Sequence, residues 1–216
     1  MPQNLIERLR RFRSDYFPQH ESHFRDLVAH GQNPSILFIG CSDSRLVPHL
    51  LTGTGPGDLF LVRNVGALVP PYDGSTGYHG TCAAIEFAVL NLNVHEIVVC
   101  GHSHCGGIRA LYEGVSHEAV NLRSWLELAR EAVLPAEMSE ETLRRTEERS
   151  IVLQLERLMD YPMVRSRVEA GKLFLHGWHY VIEHGEVHVF DLASGRFVSA
   201  SSIRLQDSAQ AASPKP

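Results

Sequence analysis

Residues 36–41 read ILFIGC and residues 97–102 read IVVCGH, and these two stretches decide the fold. Each is a short apolar run that ends at a glycine and is followed at once by a cysteine or a histidine. Such a run is typical of a strand buried in a parallel sheet, and residues 59–62, LFLV, form another. Residues 81–92 have the length and apolar content of a buried helix between strands. This alternation predicts an α/β fold with a mainly parallel central sheet flanked by helices.

The segments on either side complete the predicted architecture. Apolar residues at helical spacing predict an N-terminal helical arm: Leu5, Ile6, Leu9, Phe12 and Tyr16. We expect Pro18 to interrupt this arm, with a second short helix over residues 21–29. Residues 123–170 are predicted to be helical, and two apolar runs around a glycine turn predict a C-terminal hairpin. We therefore predict one domain over residues 1–205 and a disordered tail over residues 206–216.

Composition excludes several classes of protein. The 216 residues carry a formal net charge of −5, whereas a nucleic-acid-binding protein usually has a basic excess, so no nucleic-acid partner is expected. No apolar run reaches the roughly 18 residues that a membrane span needs. The first residues lack the apolar core of a signal peptide, which predicts a cytoplasmic location. Four cysteines are too few for a disulfide scaffold of this length, so we expect reduced thiols.

Three potential metal ligands follow the buried runs. Cys41 comes directly after the first run, and His102 and Cys105 come after the second. The carboxyl ends of parallel strands meet at one edge of a sheet, where ligand sites form. Two cysteines and one histidine are the ligand count of a catalytic zinc site with one open position. A lone cysteine at a strand is more often a small buried apolar residue, which is our interpretation of Cys82 and Cys100.

Asp43 and Arg45 stand beside the first of these cysteines, in the stretch CSDSR. Alternate residues of an extended chain point the same way, so the two side chains can form a bidentate ion pair next to the metal. Zinc lowers the pKa of bound water from 15.7 to about 7 and so supplies hydroxide at neutral pH. We expect Asp43 to orient that hydroxide and Arg45 to hold Asp43 ionised and away from the metal. Two alternatives are a simple surface salt bridge and Asp43 as a fourth ligand.

At this point the sequence resembles the β-class carbonic anhydrases. The resemblance rests on the motifs CSDSR at residues 41–45, RNV at residues 63–65 and GHSHCGG at residues 101–107, and it runs from about Leu5 to Ser201. The first half and the stretch HGW at residues 176–178 are similar to bacterial and cyanobacterial members. We expect no counterpart of the long C-terminal extension that the carboxysomal members carry.

The resemblance implies reversible hydration of carbon dioxide to bicarbonate and a proton. It implies one Zn²⁺ per subunit on Cys41, His102 and Cys105, with zinc hydroxide as the nucleophile and Asp43 and Arg45 as the catalytic dyad. It also implies a homodimer, or a higher even oligomer such as a tetramer, whose neighbouring subunit completes an apolar pocket. Matching position by position gives the implied substrate-binding residues: Gln32, Phe60, Val65, Phe87 and Gly106.

One departure from the family concerns an inhibitory bicarbonate site. Regulated members form that site with a tryptophan, an arginine and a tyrosine. Arg63 and Tyr180 are present, but Phe38 stands at the tryptophan position and has no N–H donor. We therefore predict that the inhibitory site is absent and that the resting site is open, with water rather than Asp43 as the fourth ligand.

A second departure concerns proton export. Plant-like members place a tyrosine and a histidine on the helix after the RNV motif, where this chain has Phe87 and Asn91. Neither side chain titrates near pH 7. His104 and His79 are candidates by location only, and a solvent-facing or packing role is the commoner one for such a histidine.

Two other functions remain open from the sequence. A hydrolase of the same fold could use the same residues on carbon disulfide or carbonyl sulfide. A non-enzymatic, zinc-stabilised module could use the three ligands structurally, although such a module would have no use for Asp43 and Arg45.

Overall fold

A computed structural model describes residues 3–74 and 77–203 of the chain. Six strands form a single sheet in the order β2-β1-β3-β4-β5-β6. The strands are β1 (Ile36–Cys41), β2 (Leu59–Asn64), β3 (Glu96–His102), β4 (Phe174–Val181), β5 (Glu186–Asp191) and β6 (Arg196–Ser199). Strands β1 to β4 are joined in parallel pairs, while β5 and β6 join in antiparallel pairs. The predicted α/β fold with a mainly parallel sheet is confirmed.

Helices surround this sheet and extend from it at the N-terminus. They are α1 (Gln3–Arg11), α2 (Phe17–His30), α3 (Pro48–Thr52), α4 (Gly80–Glu86), α5 (Gly106–Glu113), α6 (Val120–Leu126), α7 (Glu140–Leu158) and α8 (Pro162–Glu169). Five-residue π-helical turns over residues 12–16 and 87–91 follow α1 and α4. No residue of α1 or α2 is buried among the described residues, although Leu27 of α2 packs against Gly57 and His23 lies 2.8 Å from the backbone oxygen of Pro56.

Two glycines let α7 lie close against the centre of the sheet. A Cβ atom on Gly101 of β3 would lie 2.8 Å from Ile151 Cδ1 of α7, and one on Gly177 of β4 would lie 2.9 Å from Ile151 Cγ2. Real Cβ atoms do not approach other carbons so closely without strain, so only glycine permits this contact. The first half of α7 is thereby brought next to the end of β3, where His102 lies.

Two of the predicted buried elements are only half-buried. Strand β2 is at the sheet edge, and its Leu61 is 36% exposed, because only one side of the strand pairs with a neighbour among the described residues. The predicted buried helix is α4 with its π-helical turn, and its outer face leaves Phe87 43% and Leu90 59% exposed. The apolar runs therefore predict the positions of these elements correctly but overstate how much of their surface is buried.

The two ends of the chain also differ in detail from the prediction. Pro18 does not end the arm: the chain stays helical from the π-helical turn at residues 12–16 into the first turn of α2, where Pro18 lies. The C-terminal hairpin is confirmed as β4 and β5, and β6 extends it to three strands. No helix in the described ranges is both long and apolar enough to cross a membrane. The predicted tail, residues 206–216, lies outside the described residues, and the cytoplasmic location stays a prediction.

Candidate metal centre

The fold brings the three predicted ligands together. Cys41 ends β1, His102 ends β3, and Cys105 immediately precedes α5. Because β1 and β3 are parallel neighbours, their carboxyl ends coincide, and the candidate ligand atoms of the three residues all lie within 4.8 Å of one another. The two sulfur atoms are 4.0 Å apart, and both cysteines are free thiols.

The histidine presents an unused nitrogen to this cluster. The Nδ1 atom of His102 lies 2.9 Å from the backbone oxygen of Ser103, which leaves Nε2 facing the two sulfur atoms. This Nε2 atom is buried and has no hydrogen-bond partner within the described part of the chain. A buried polar atom without a partner is costly unless something binds it. Two sulfurs and one such nitrogen are a donor set that suits Zn²⁺.

The cluster favours the charged form of one thiol. The Cys105 thiol beside Cys41 lowers the pKa of Cys41 to about 4, with smaller contributions from His102 and two backbone N–H groups, while burial opposes the shift. Those N–H groups belong to Asp43 and Gly66, each 3.4 Å from Cys41 Sγ. The neighbouring Cys41 sulfur, together with burial, holds the pKa of Cys105 above its usual range. The two thiols therefore share a proton that a dication would displace.

Asp43 and Arg45 form the predicted bidentate pair. Asp43 Oδ1 accepts from Arg45 Nε at 2.9 Å, and Asp43 Oδ2 accepts from Arg45 Nη2 at 2.7 Å. The Arg45 backbone N–H also donates to Oδ1, at 2.9 Å. These hydrogen bonds from Arg45 hold the pKa of Asp43 well below its usual range. Asp43 Oδ2 lies 3.8 Å from His102 Nε2, so the carboxylate borders the donor cluster.

Two further contacts that the sequence analysis did not predict tie this loop together. Arg45 Nη2 also donates to the backbone oxygen of His104, at 3.1 Å, which links Asp43 to the ligand loop of β3. Arg63 donates to the backbone oxygens of Cys41 and Asp43, at 3.1 and 2.7 Å. The sheet register offered a signal for this second contact, because Arg63 pairs with Gly40 next to Cys41.

The predicted substrate-binding residues fall into two groups, of which the first lies at the metal cluster. Val65 directly precedes Gly66, whose N–H donates to Cys41, and Gly106 directly follows Cys105. Val65 is 38% exposed, and its backbone oxygen accepts from the indole N–H of Trp125 at 2.7 Å.

The second group lies toward the opposite end of the sheet in the same chain. Phe60 stacks on Phe87 with ring centroids 5.7 Å apart, and its register partner is Leu37. Leu37 is four residues before Cys41, a distance of about 13 Å along a strand. Gln32 precedes the start of β1, so that the whole strand, about 20 Å, separates it from Cys41. One chain alone does not bring this group to the metal cluster.

The structure also shows the surroundings of Phe38, which replaces the tryptophan of the inhibitory site, and of the two histidines considered for proton export. Phe38 is fully buried and packs edge-on against Trp178, with ring centroids 6.1 Å apart. His104 lies between two carboxylates, 3.2 Å from Glu140 and 3.5 Å from Glu183. His79 immediately precedes α4. Any part of these histidines in proton export stays a prediction.

The fold and the donor cluster together define an α/β protein with a candidate metal centre, and comparisons with known proteins identify the family. Residues 36–187 match the model of the family described as carbonic anhydrase. A carbonic anhydrase of Synechocystis sp. is 41% identical over 208 residues, covering 93% of this chain and 75% of that protein. The chain belongs to the β-class carbonic anhydrase family, and the prediction that it is a carbonic anhydrase is confirmed.

Solved structures agree with this assignment. The structure of the β-carbonic anhydrase CcaA matches with a TM-score of 0.86 at 41% identity, covering 93% of this chain and 92% of that one. A structure from a study of two tetrameric β-carbonic anhydrases of the ascomycete Sordaria macrospora matches with a TM-score of 0.74 at 30% identity, covering 86% and 95%. Both structures are therefore similar to this chain in sequence as well as in fold.

Proposed function

We propose that the chain catalyses the reversible hydration of carbon dioxide to bicarbonate and a proton, using one Zn²⁺ held by Cys41, His102 and Cys105. One observation carries the proposal: two sulfurs and an imidazole nitrogen, which has no hydrogen-bond partner among the described residues, lie within 4.8 Å of one another beside a carboxylate fixed by arginine. Two thiolates balance the charge of the dication and leave one ligand position open. When bound, zinc would make water acidic enough to supply hydroxide near neutral pH.

Asp43 is the group that would orient the attacking oxygen. Its Oδ1 atom accepts two hydrogen bonds from Arg45, which use both lone pairs, whereas Oδ2 accepts only one. Oδ2 therefore keeps a free lone pair, and it is the oxygen that faces His102 Nε2. A carboxylate held in this way accepts a hydrogen bond from the reacting oxygen in a fixed direction, which aims the remaining oxygen lone pair at the carbon of carbon dioxide.

Arg45 would keep Asp43 in that role. The guanidinium occupies both carboxylate oxygens and turns Asp43 toward itself, which supports an open site in which Asp43 is not the fourth ligand. The backbone N–H of Gly106, at the start of α5, would donate to the negative oxygens that develop as bicarbonate forms. Val65 would supply apolar surface beside them.

A second copy of the chain would complete the pocket. Gln32, Phe60 and Phe87 lie too far from Cys41 within one chain, while Phe87 remains 43% exposed. The arm of α1, the π-helical turn after it and α2 exposes apolar side chains, including Leu9 at 59% and Phe12 at 48%. We propose a homodimer, or a higher even oligomer, in which the second subunit brings Gln32 and the two phenylalanines to the metal cluster.

A paired measurement tests the proposal. Metal analysis of the purified protein should give one zinc per chain, and stopped-flow assays should show hydration of carbon dioxide far above that of carbon disulfide or carbonyl sulfide. Faster turnover of the sulfur compounds would reassign the substrate. A zinc-loaded protein without activity at any pH would instead favour a structural module.

A further inference from the structure

Behind the candidate metal centre lies a buried pair of titratable side chains that the proposed reaction does not use. Glu147 of α7 is 2% exposed, and His179 of β4 is fully buried. The Glu147 Oε2 atom lies 3.1 Å from His179 Nε2. The other carboxylate oxygen, Oε1, accepts the backbone N–H of Cys105 at 2.8 Å. One side chain thus connects the pair to a proposed zinc ligand.

The burial of this carboxylate needs an explanation. Within residues 3–74 and 77–203, no arginine or lysine forms an ion pair with Glu147. Burying a carboxylate costs several kcal/mol unless its hydrogen bonds are good, and a buried pair is weak evidence for stability. Apolar side chains of similar size often serve a core equally well. The contact of Glu147 with Cys105 therefore explains the buried pair better than a contribution to the stability of the core does.

The packing of α7 is arranged so that Glu147 reaches that residue. Ile151, one helical turn further on, rests against Gly101 and Gly177, where any Cβ would lie within 2.9 Å of it. This close approach places the carboxylate against the peptide of Cys105. Glu147 also borders a cavity of about 10 Å³ with His102 and Cys105, which has room for about one water molecule. On its other side the pair lines an open cleft of about 360 Å³, although Glu147 itself is 2% exposed.

His179 acts on Glu147 rather than on the ligands. In the sheet it pairs with Gly101, one residue before His102, and its ring lies edge-on to Phe197 with centroids 6.4 Å apart. Its Nδ1 atom has no hydrogen-bond partner in the described ranges, so Glu147 is its one polar contact there. A ring fixed by packing holds one carboxylate oxygen and leaves the other directed at Cys105.

We propose that Glu147 and His179 form a positioning pair for the Cys105 ligand: Glu147 fixes the Cys105 peptide and His179 fixes Glu147. The pair would set how firmly the third ligand stays in place, and therefore how slowly metal is lost. This inference rests on the proposed function, because it requires Cys105 to be a ligand. Groups that orient metal ligands in this way typically contribute about 10–100-fold in metal affinity.

Metal loss from the full-length protein tests the pair. Zinc transfer to a chromophoric chelator should be about 10–100-fold faster in Glu147→Leu than in the wild type, as expected for loss of an orienting contact. The visible absorption bands of the cobalt(II)-substituted variant should shift as well. Glu147→Gln keeps an acceptor for the Cys105 N–H and should stay within a few-fold of wild type. His179→Leu should speed metal loss less than Glu147→Leu, and the double leucine variant should be no worse than Glu147→Leu alone.

Thr146→Val is the matched control. Thr146 is fully buried on the same helix; its hydroxyl donates to the backbone oxygen of Thr142 at 2.7 Å and lies 2.6 Å from the Tyr112 hydroxyl, and no hydrogen bond joins it to a candidate ligand in the described residues. Its replacement should lower the thermal midpoint and leave metal loss and the cobalt spectrum unchanged. The proposal would be overturned if a folded Glu147→Leu variant lost metal at the wild-type rate. It would also be overturned if the rate increases of the two single variants multiplied in the double variant.

Two remaining outcomes are also decisive. If Glu147→Leu does not fold, His179→Leu is compared with Thr146→Val, and equal rates of metal loss in the two overturn the proposal. If the wild-type protein binds neither zinc nor cobalt, the proposed metal centre itself fails. That result differs from the one in which the protein binds metal but replacing Glu147 does not change the rate of metal loss; only the latter overturns the positioning pair alone.

Discussion

The two ends of the sheet differ in how complete they are. At the carboxyl ends of β1 and β3, one chain supplies the donor cluster, the Asp43–Arg45 pair and the bonds that fix their backbone. Toward the amino ends, Phe60 and Phe87 stack on each other, Phe87 stays 43% exposed, and Gln32 lies in an exposed loop.

The groups proposed for catalysis and the groups proposed for the apolar pocket therefore lie at opposite ends of the sheet. A metal site tolerates little error in ligand position, so it is built on neighbouring strands of one rigid sheet. An apolar wall tolerates more, and our proposal is that a second copy delivers it. Changes at the carboxyl end should therefore act on metal or turnover within each subunit, whereas changes at the amino end and the arm should act through assembly.

The largest effect is expected for Cys41→Ser, which removes a thiolate from the donor cluster. The variant should lose both zinc and carbon dioxide hydration, measured by elemental analysis and stopped flow on the same sample. Cys82→Ser is the control, because Cys82 lies outside the cluster and accepts from Tyr161 at 3.1 Å, as a serine also could. Full activity in Cys41→Ser would refute the ligand assignment.

Asp43→Ala should separate metal binding from turnover. With the orienting carboxylate gone, kcat should fall about 10²-fold, the usual scale for a misplaced reacting group, while zinc content stays at one per chain. Ser42→Ala changes an exposed neighbour and should behave as wild type. An Asp43→Ala enzyme with normal kcat would show that the dyad does not orient the reacting water.

The arm offers the test at the other end of the molecule. Leu9→Asp combined with Phe12→Asp places two charges on its apolar stripe, so sedimentation analysis should show a smaller species and activity should fall with it. Zinc content should be retained. Gln3→Asp with Asn4→Asp adds the same charge elsewhere on α1 and should leave assembly intact. An active monomer would contradict the shared pocket.

The smallest effect is expected at the contact between α7 and the sheet. In Gly177→Ala the new methyl group would lie 2.9 Å from Ile151 and 3.1 Å from Leu155, and such overpacking costs about 1–3 kcal/mol. Urea unfolding should show this loss. Gly80→Ala has open space around the new methyl group and should be neutral, so equal stability of the two variants would count against tight packing there.

The grouping of the three candidate ligands could be predicted from the sequence because they follow strands directly. A buried run tells where a strand ends, and parallel strands carry the residues after them to one edge. Cys41, His102 and Cys105 needed no further information. The motif spacing then gave the dyad and the family.

Contacts that depend on tertiary packing could not be found in this way. Glu147 lies 42 residues beyond Cys105, on a helix whose pattern says only that one face is buried. Its approach to Cys105 depends on two glycines in different strands. The sequence contains both glycines but does not show that they face the same residue of α7. The half-exposed state of β2 was missed for a related reason, since an apolar run does not reveal which strand ends up at the edge.

The contact of Arg45 with His104 has a consequence for how this site can vary. One guanidinium satisfies both Asp43 oxygens and a backbone oxygen between two candidate ligands. A lysine carries its charge on a single nitrogen and cannot span three acceptors in this geometry. Retaining the positive charge is therefore not enough at position 45: the planar shape of arginine is what couples the aspartate to the ligand loop.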